Sequence, residues 1–148
     1  MAIDGSATIE IDAPIERCFE VAADVERSPR WQPEIKSAIV TERGPGGEQT
    51  YVETKVDGKV RTLTSDLRFT YDGPTGMSWN QEKGDLKKVS GSWELVDLGD
   101  GRTQATYNLH VDFGRTLGLV IRGPLVDILR GQLCDSMPGK LKAFVEAE

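Results

Sequence analysis

The stretch PLVDILRGQLCDSMPGKLKAFVE (Pro124 to Glu146) decides the fold. Leu125, Ile128, Leu129, Leu133, Met137, Leu141, Phe144 and Val145 recur at helical spacing, which makes one long apolar stripe. Gly123-Pro124 marks a break or the helix start. Pro138, followed by Gly139, falls inside the pattern, where its missing N–H denies the Cys134 carbonyl its usual donor and kinks the helix. A stripe this long needs an apolar surface of similar length to lie on, so the residues upstream have to supply one.

Upstream the period drops to two. KSAIVTER runs into the loop GPGG, and EQTYVETKV and KVRTLTSDLRFTY flank Asp57-Gly58, a two-residue hairpin signal. DGPTG precedes MSWNQEK, GDL precedes KKVSGSWELVDL, and Asp100-Gly101 turns the chain into RTQATYNLHVDF. These are six strands of an antiparallel meander. Before them, SATIEIDAP alternates as a further strand. Ile15, Cys18, Phe19 and Ala22 then share one helix face, and Pro29 and Pro33 confine SPRWQPEI to a short helical turn or loop.

An antiparallel sheet has one oily face and must cover it. The prediction is an α+β fold: a curved antiparallel sheet of about seven strands around a long C-terminal helix, with two short helices after strand 1. At 148 residues the chain reads as one domain, 1–148, able to bury about 70% of its unfolded surface.

Alternation then says what faces the helix. Leu63, Leu67, Phe69 and Tyr71; Met77 and Trp79; Val89, Gly91, Trp93 and Leu95; and Ala105, Tyr107, Leu109, Val111 and Phe113 share the inner face, with Ser65 and Gln81 as polar points of the same parity. Such a wall is either a filled core or an aromatic cavity with a few polar anchors. Gly91 leans toward the cavity, because a missing mid-strand side chain makes a bulge or leaves room for something close.

The order of elements and several words of sequence resemble the START-like (SRPBCC) superfamily, in particular its polyketide cyclase/dehydrase branch. The matching pieces are IEIDAPIERCFEVAADVERSPRWQPEI (Ile9 to Ile35), GSWELVDLGDGRTQATYNLHVDF (Gly91 to Phe113) and LKAFVE (Leu141 to Glu146). The resemblance implies a helix-grip fold that binds or carries a lipid, quinone or polyketide-like molecule between sheet and helix. The alternative it implies is a cyclase, aromatase or dehydratase working in the same cavity. The implied ligand-binding positions are Trp31 at the mouth, Ser65, Phe69, Tyr71, Trp79, Gln81, Trp93, Tyr107 and Leu109 on the sheet, and Leu129, Leu133 and Met137 on the helix; Trp31, set between Pro29 and Pro33, also reads as a semi-buried wedge packed between the short helical turn and the end of the sheet, or as a partner contact.

Little in the residues points to chemistry, and whether the chain is an enzyme stays open at this level. His110 alternates with Leu109 and Val111, which puts it on the outer face beside Asp112; Asp66 and Arg68 share a polar face suited to a charge pair. Cys18 reads as a small buried hydrophobe, and Cys134 has no neighbouring base. With two cysteines and one histidine, no metal site is expected, and no cofactor fingerprint occurs. The net charge of -6 argues against nucleic acid or an anionic membrane as the main partner. The N-terminal residues lack signal-peptide features, and LGLVI (Leu117 to Ile121) is too short to span a bilayer. The expected setting is the cytoplasm, as monomer or homodimer without stable membrane insertion.

Overall fold

The computed structural model describes residues 2–147. Strand β1 (Ala2–Ile11) leads through helix α1 (Ile15–Ala23) and a 3-10 turn (Val25–Arg30) into β2 (Ile35–Arg43), β3 (Gln49–Asp57), β4 (Thr62–Tyr71), β5 (Gly76–Gly84), β6 (Lys88–Gly99) and β7 (Arg102–Asp112). The sheet order is β1-β7-β6-β5-β4-β3-β2, antiparallel throughout. β2 to β7 thus form the predicted meander. β1 adds beyond β7, so α1 and the 3-10 turn carry the chain from one sheet edge to the other.

After β7 come α2 (Gly114–Gly118), α3 (Pro124–Arg130), a π-turn (Gly131–Asp135) and α4 (Met137–Glu146). The long helix is therefore one helical run with a π-turn set into it. Pro138 occupies the first turn of α4. Just upstream, the Ser136 N–H donates to Gly131 O at 2.9 Å, an i to i−5 bond. That bond takes the donor that Gln132 O would have in an α-helix. The Lys140 Nζ replaces it at 2.8 Å, and the same ammonium pairs with Glu34 Oε1 at 2.7 Å in a largely buried setting. The bond that the π-turn withdraws from Gln132 O is thus replaced locally, and the replacement ties the helix to the loop before β2.

The stripe buries Leu129, Cys134, Met137, Leu141 and Val145. Ile128 is an exception: it is 51% exposed, because α3 turns Val126 and Leu129 inward instead. The helix lies against β1 and the neighbouring end of the sheet. This seat depends on a row across three strands in which Gly5, Leu109 and Gly91 are register partners. A Cβ on Gly5 would stand 2.6 Å from Cys134 Sγ, and one on Gly91 would stand 2.4 Å from the Trp79 ring. The space that Gly91 leaves is thus filled by the protein's own indole.

One local expectation is corrected, and two others gain their partners. The β3–β4 loop covers residues 58–61 and not two residues, with Gly58 N donating to Arg61 O and Lys59 taking the positive φ of 72°. His110 is half-exposed on the outer face of β7, as expected, and its Nδ1 meets Asp4 Oδ1 of the adjacent β1 at 2.6 Å. On the polar face that Asp66 and Arg68 share, Arg68 pairs across strands with Glu82 of the neighbouring β5 and with Glu42 of β2, two strands away, while Asp66 accepts from the Tyr51 hydroxyl.

Replacing Gly5 with alanine is expected to cost about 1–3 kcal/mol in denaturant unfolding, because the new methyl overlaps Cys134. Adding Cys134→Ala leaves Cβ–Cβ at an ordinary 3.4 Å and recovers part of that cost. Additive losses in the double mutant would show that the close approach is not what limits the site.

Candidate functional site: an aromatic cavity between sheet and helix

Where the helix seats on β1, the rest of the curved sheet curls away from it and leaves an inner cavity of about 140 Å³. Its wall contains Ser65, Phe69, Trp79, Trp93, Tyr107 and Leu109 from the sheet, and Leu129, Leu133 and Met137 from the helical run. Val89, Val111 and Phe113 complete the oily wall. The half-exposed liners Gln32, Ile35, Val56, Asp57, Leu86 and Leu133 mark where the cavity meets solvent. The mouth therefore lies between the start of β2, the β3–β4 and β5–β6 turns, and the π-turn.

The aromatic rings form one chain of contacts: Phe19–Tyr71–Phe69–Trp79–Tyr107–Trp93–Trp31, with centroid distances from 4.7 to 6.4 Å. The four middle rings line the cavity. The end members Phe19, Tyr71 and Trp31, together with Phe69, line an open cleft at the opposite end of the sheet. That cleft is large, about 1350 Å³, but its walls are charged and several of those charges already pair, as in Asp24–Arg27 and Glu26–Arg43. It is a solvated groove; the enclosed apolar space is the inner one.

Three of the predicted positions fall outside the cavity wall. Trp31 is buried at 7% exposure against Trp93, at 6.4 Å, and faces the outer cleft. Its neighbour Gln32, one residue on, is the one at the mouth. Tyr71 shares the inner face but sits at the far end of β4, where α1 covers it; its hydroxyl donates to Gln49 O at 2.6 Å. Gln81 accepts from Ser65 Oγ at 2.8 Å and donates to Leu86 O at 2.7 Å, so its amide is spent on holding the β5–β6 turn. Alternation gives the face of a strand but not which stretch of it another element covers.

The sequence reading missed the inner side of β3 and the 3-10 turn. Val56 and Thr54 line the wall, and their alternation with Val52 was legible in TYVETKV. Ser28, Val25 and Ala22 come from the turn and α1, where only the fold brings them to the cavity. Ser28 is 3% exposed, and among the described residues its Oγ has no hydrogen-bond partner. Tyr107 is 7% exposed, and among the described residues its hydroxyl also makes no hydrogen bond. Two unspent polar groups thus stand on an otherwise apolar wall.

Ionisable groups are scarce there: Asp57 at the rim, which accepts from Lys59 N at 2.8 Å, and Tyr107 inside. Burial raises the phenols of both Tyr107 and Tyr71 above their ordinary value; for Tyr71, the charges of Glu48 and Asp24 add to it. Burial likewise pushes the thiols of Cys18 and Cys134 up, so both stay protonated at neutral pH.

Residues 2–145 match the family model described as polyketide cyclase / dehydrase and lipid transport. The actinorhodin polyketide synthase bifunctional cyclase/dehydratase of Streptomyces coelicolor is 36% identical over 98 residues. That match covers 64% of this chain and 30% of the relative's length. A START superfamily protein from Mycobacterium smegmatis superposes with a TM-score of 0.83 at 23% identity, over 97% of both chains. The Zhui aromatase/cyclase from Streptomyces sp. R1128 does so with a TM-score of 0.73 at 21% identity, over 99% of this chain and 94% of the other. At these identities the two structures speak to the fold, a helix-grip of START type.

The raised phenols set a pH expectation. In the unfolded chain tyrosine loses its proton near about pH 10, before the buried phenols do. The folded state then holds more protons than the unfolded one, so stability is full below that pH and falls as pH climbs past it. Denaturant midpoints measured from pH 8 to 11 should decline, and Tyr107→Phe should make the decline shallower. An unchanged slope in that variant would remove the assignment.

Proposed function

The chain belongs to the polyketide cyclase / dehydrase and lipid transport family, and from that premise we propose that it binds or carries a hydrophobic small molecule, lipid, quinone or polyketide-like, in the inner cavity. The observation that carries this reading is an enclosed, largely apolar wall of Trp79, Trp93, Tyr107, Leu109, Leu129 and Met137, beside which the buried Ser28 Oγ has no hydrogen-bond partner among the described residues. Apolar contact supplies most of the affinity, at about 25 cal/mol per Å² buried. The hydroxyls of Ser28 and Tyr107 orient a polar end of the ligand, since an unpaired partner in a dry site discriminates strongly.

Size limits how the ligand enters. A cavity near 150 Å³ accommodates one benzene-sized ring, whereas drug-sized ligands occupy about 300–1,000 Å³. The ligand places one ring among Trp79, Trp93 and Tyr107, and the remainder passes out between Ile35, Leu86 and Leu133. Half-exposed side chains at a mouth are the cheapest to displace.

A second reading, cyclase or dehydratase chemistry, is favoured by one feature: the Tyr107 hydroxyl is an unpaired proton donor in the cavity, in a chain similar to part of a bifunctional cyclase/dehydratase. Its weakness is that acid–base catalysis needs a second positioned group. The rim carboxylate Asp57 is the nearest candidate among the lining residues.

Native mass spectrometry before and after denaturing extraction is expected to release a co-purified apolar compound or to show uptake of an added quinone. Nile red should bind with enhanced fluorescence, and Leu133→Trp, which plugs the mouth, should weaken it on the order of tenfold while thermal unfolding is unchanged. Binding that ignores Leu133→Trp would place the probe elsewhere. Turnover of a polyketide-like thioester that vanishes with Tyr107→Phe would establish the enzymatic reading instead.

A further inference from the structure

The mouth end of the molecule differs from the rest in charge and in surface. Three segments meet there: the β3–β4 turn, the β5–β6 turn, and the run from the end of β7 into α3. Register places them together, since Asp57 pairs with Thr62, Ser65 with Gly84, and Lys88 with Asp112. Lys87 N donates to Asp112 O at 2.9 Å, and a Cβ on Gly114 would lie 3.3 Å from that of Lys87.

Residues 57–62, 84–88 and 112–124 carry six basic and three acidic side chains, while the remainder carries twelve basic and twenty-one acidic. Lys59 and Arg61 pair with Asp57 and Asp85. Lys87, Lys88, Arg115 and Arg122 are exposed, and none has an ion-pair partner among the described residues. The net charge of -6 hides this cationic end.

Apolar side chains project from the same end. In the segment after α2, Leu117 and Ile121 turn inward at 8% and 0% exposure, while Leu119 and Val120 between them point out at 63% and 54%. Val60, at the tip of the β3–β4 turn on the other rim, is 47% exposed. Exposed aliphatics within a cationic collar are what an anionic bilayer surface accepts: phosphate-rich headgroups over hydrocarbon. A second copy is the poorer fit, because a two-fold contact would set the four unpaired cations against the same four.

We infer that the mouth end is a docking surface for anionic lipid bilayers, with Leu119 and Val120 entering the interface and Lys87, Lys88, Arg115 and Arg122 facing headgroups. This goes beyond the cavity reading, since it names the surface the mouth meets and needs no particular ligand.

The test is sedimentation of the full chain with vesicles of equal parts phosphatidylcholine and phosphatidylglycerol, against vesicles of phosphatidylcholine alone. Binding is expected on the mixed vesicles and not on the neutral ones, and it should fade at high salt. Leu119→Asp with Val120→Asp should abolish it, and Arg115→Glu with Arg122→Glu should weaken it on the order of tenfold or more. All four positions are exposed, so thermal unfolding checks that these variants fold. No binding to mixed vesicles, or binding that both double variants retain, overturns the proposal. So does light scattering that shows a dimer which the Leu119/Val120 variant splits while neither protein binds vesicles. Nile red uptake separates the two readings: normal uptake without vesicle binding sinks only the docking surface, and vesicle binding without uptake sinks only the cavity ligand.

Discussion

The row Gly5–Leu109–Gly91 governs how this fold closes. Two of its three positions have no side chain, so Cys134 drops onto β1 on one side and the Trp79 indole lies over β6 on the other. The helix is thereby held close to one end of the sheet. A curved sheet that is gripped at one end and filled with large rings further along cannot meet the helix along its whole length. The inner cavity is the space this mismatch leaves, and Leu109 stands in its wall between the two glycines.

The chain of seven rings then divides the interior. Its ends are capped by α1 and the 3-10 turn and its middle faces the cavity, with Phe69 in the wall shared by the charged outer cleft and the apolar inner space. The π-turn solves a different problem. A carbonyl that loses its helical donor would stand bare in a nearly dry region. At the π-turn that carbonyl is Gln132 O; the Lys140 ammonium donates to it and, through Glu34, joins the helix to the mouth side of β2. Packing defects on the helix and the opening of the cavity thus share one set of side chains.

Much of this was legible in the residues. Period-two runs divided by turn residues gave the seven strands, and the apolar stripe from Leu125 to Val145 gave the helix that covers them, because burial of alternating or helical faces leaves a direct trace in sequence. The inner-face aromatics Phe69, Trp79, Trp93 and Tyr107 followed from the same alternation. Trp31, Tyr71 and Gln81 did not, because their positions depend on which covering element reaches that stretch of strand and on whether a side-chain polar group is already used by a neighbour. Ser28 carried no signal at all: a serine on a short turn faces a cavity only once the turn is docked.

Charge illustrates the same divide. The overall acidity is a property of composition, yet the cationic end exists only because three distant turns are brought together by strand register. The sequence by itself determined the element order, the sheet's inner face and the covering helix, since these rest on local periodicity and the need to bury it. Tertiary structure alone decided where the cavity lies, which hydroxyls in it are unspent and which end carries the unpaired cations. Those depend on distances between residues far apart in the chain, which no local pattern encodes.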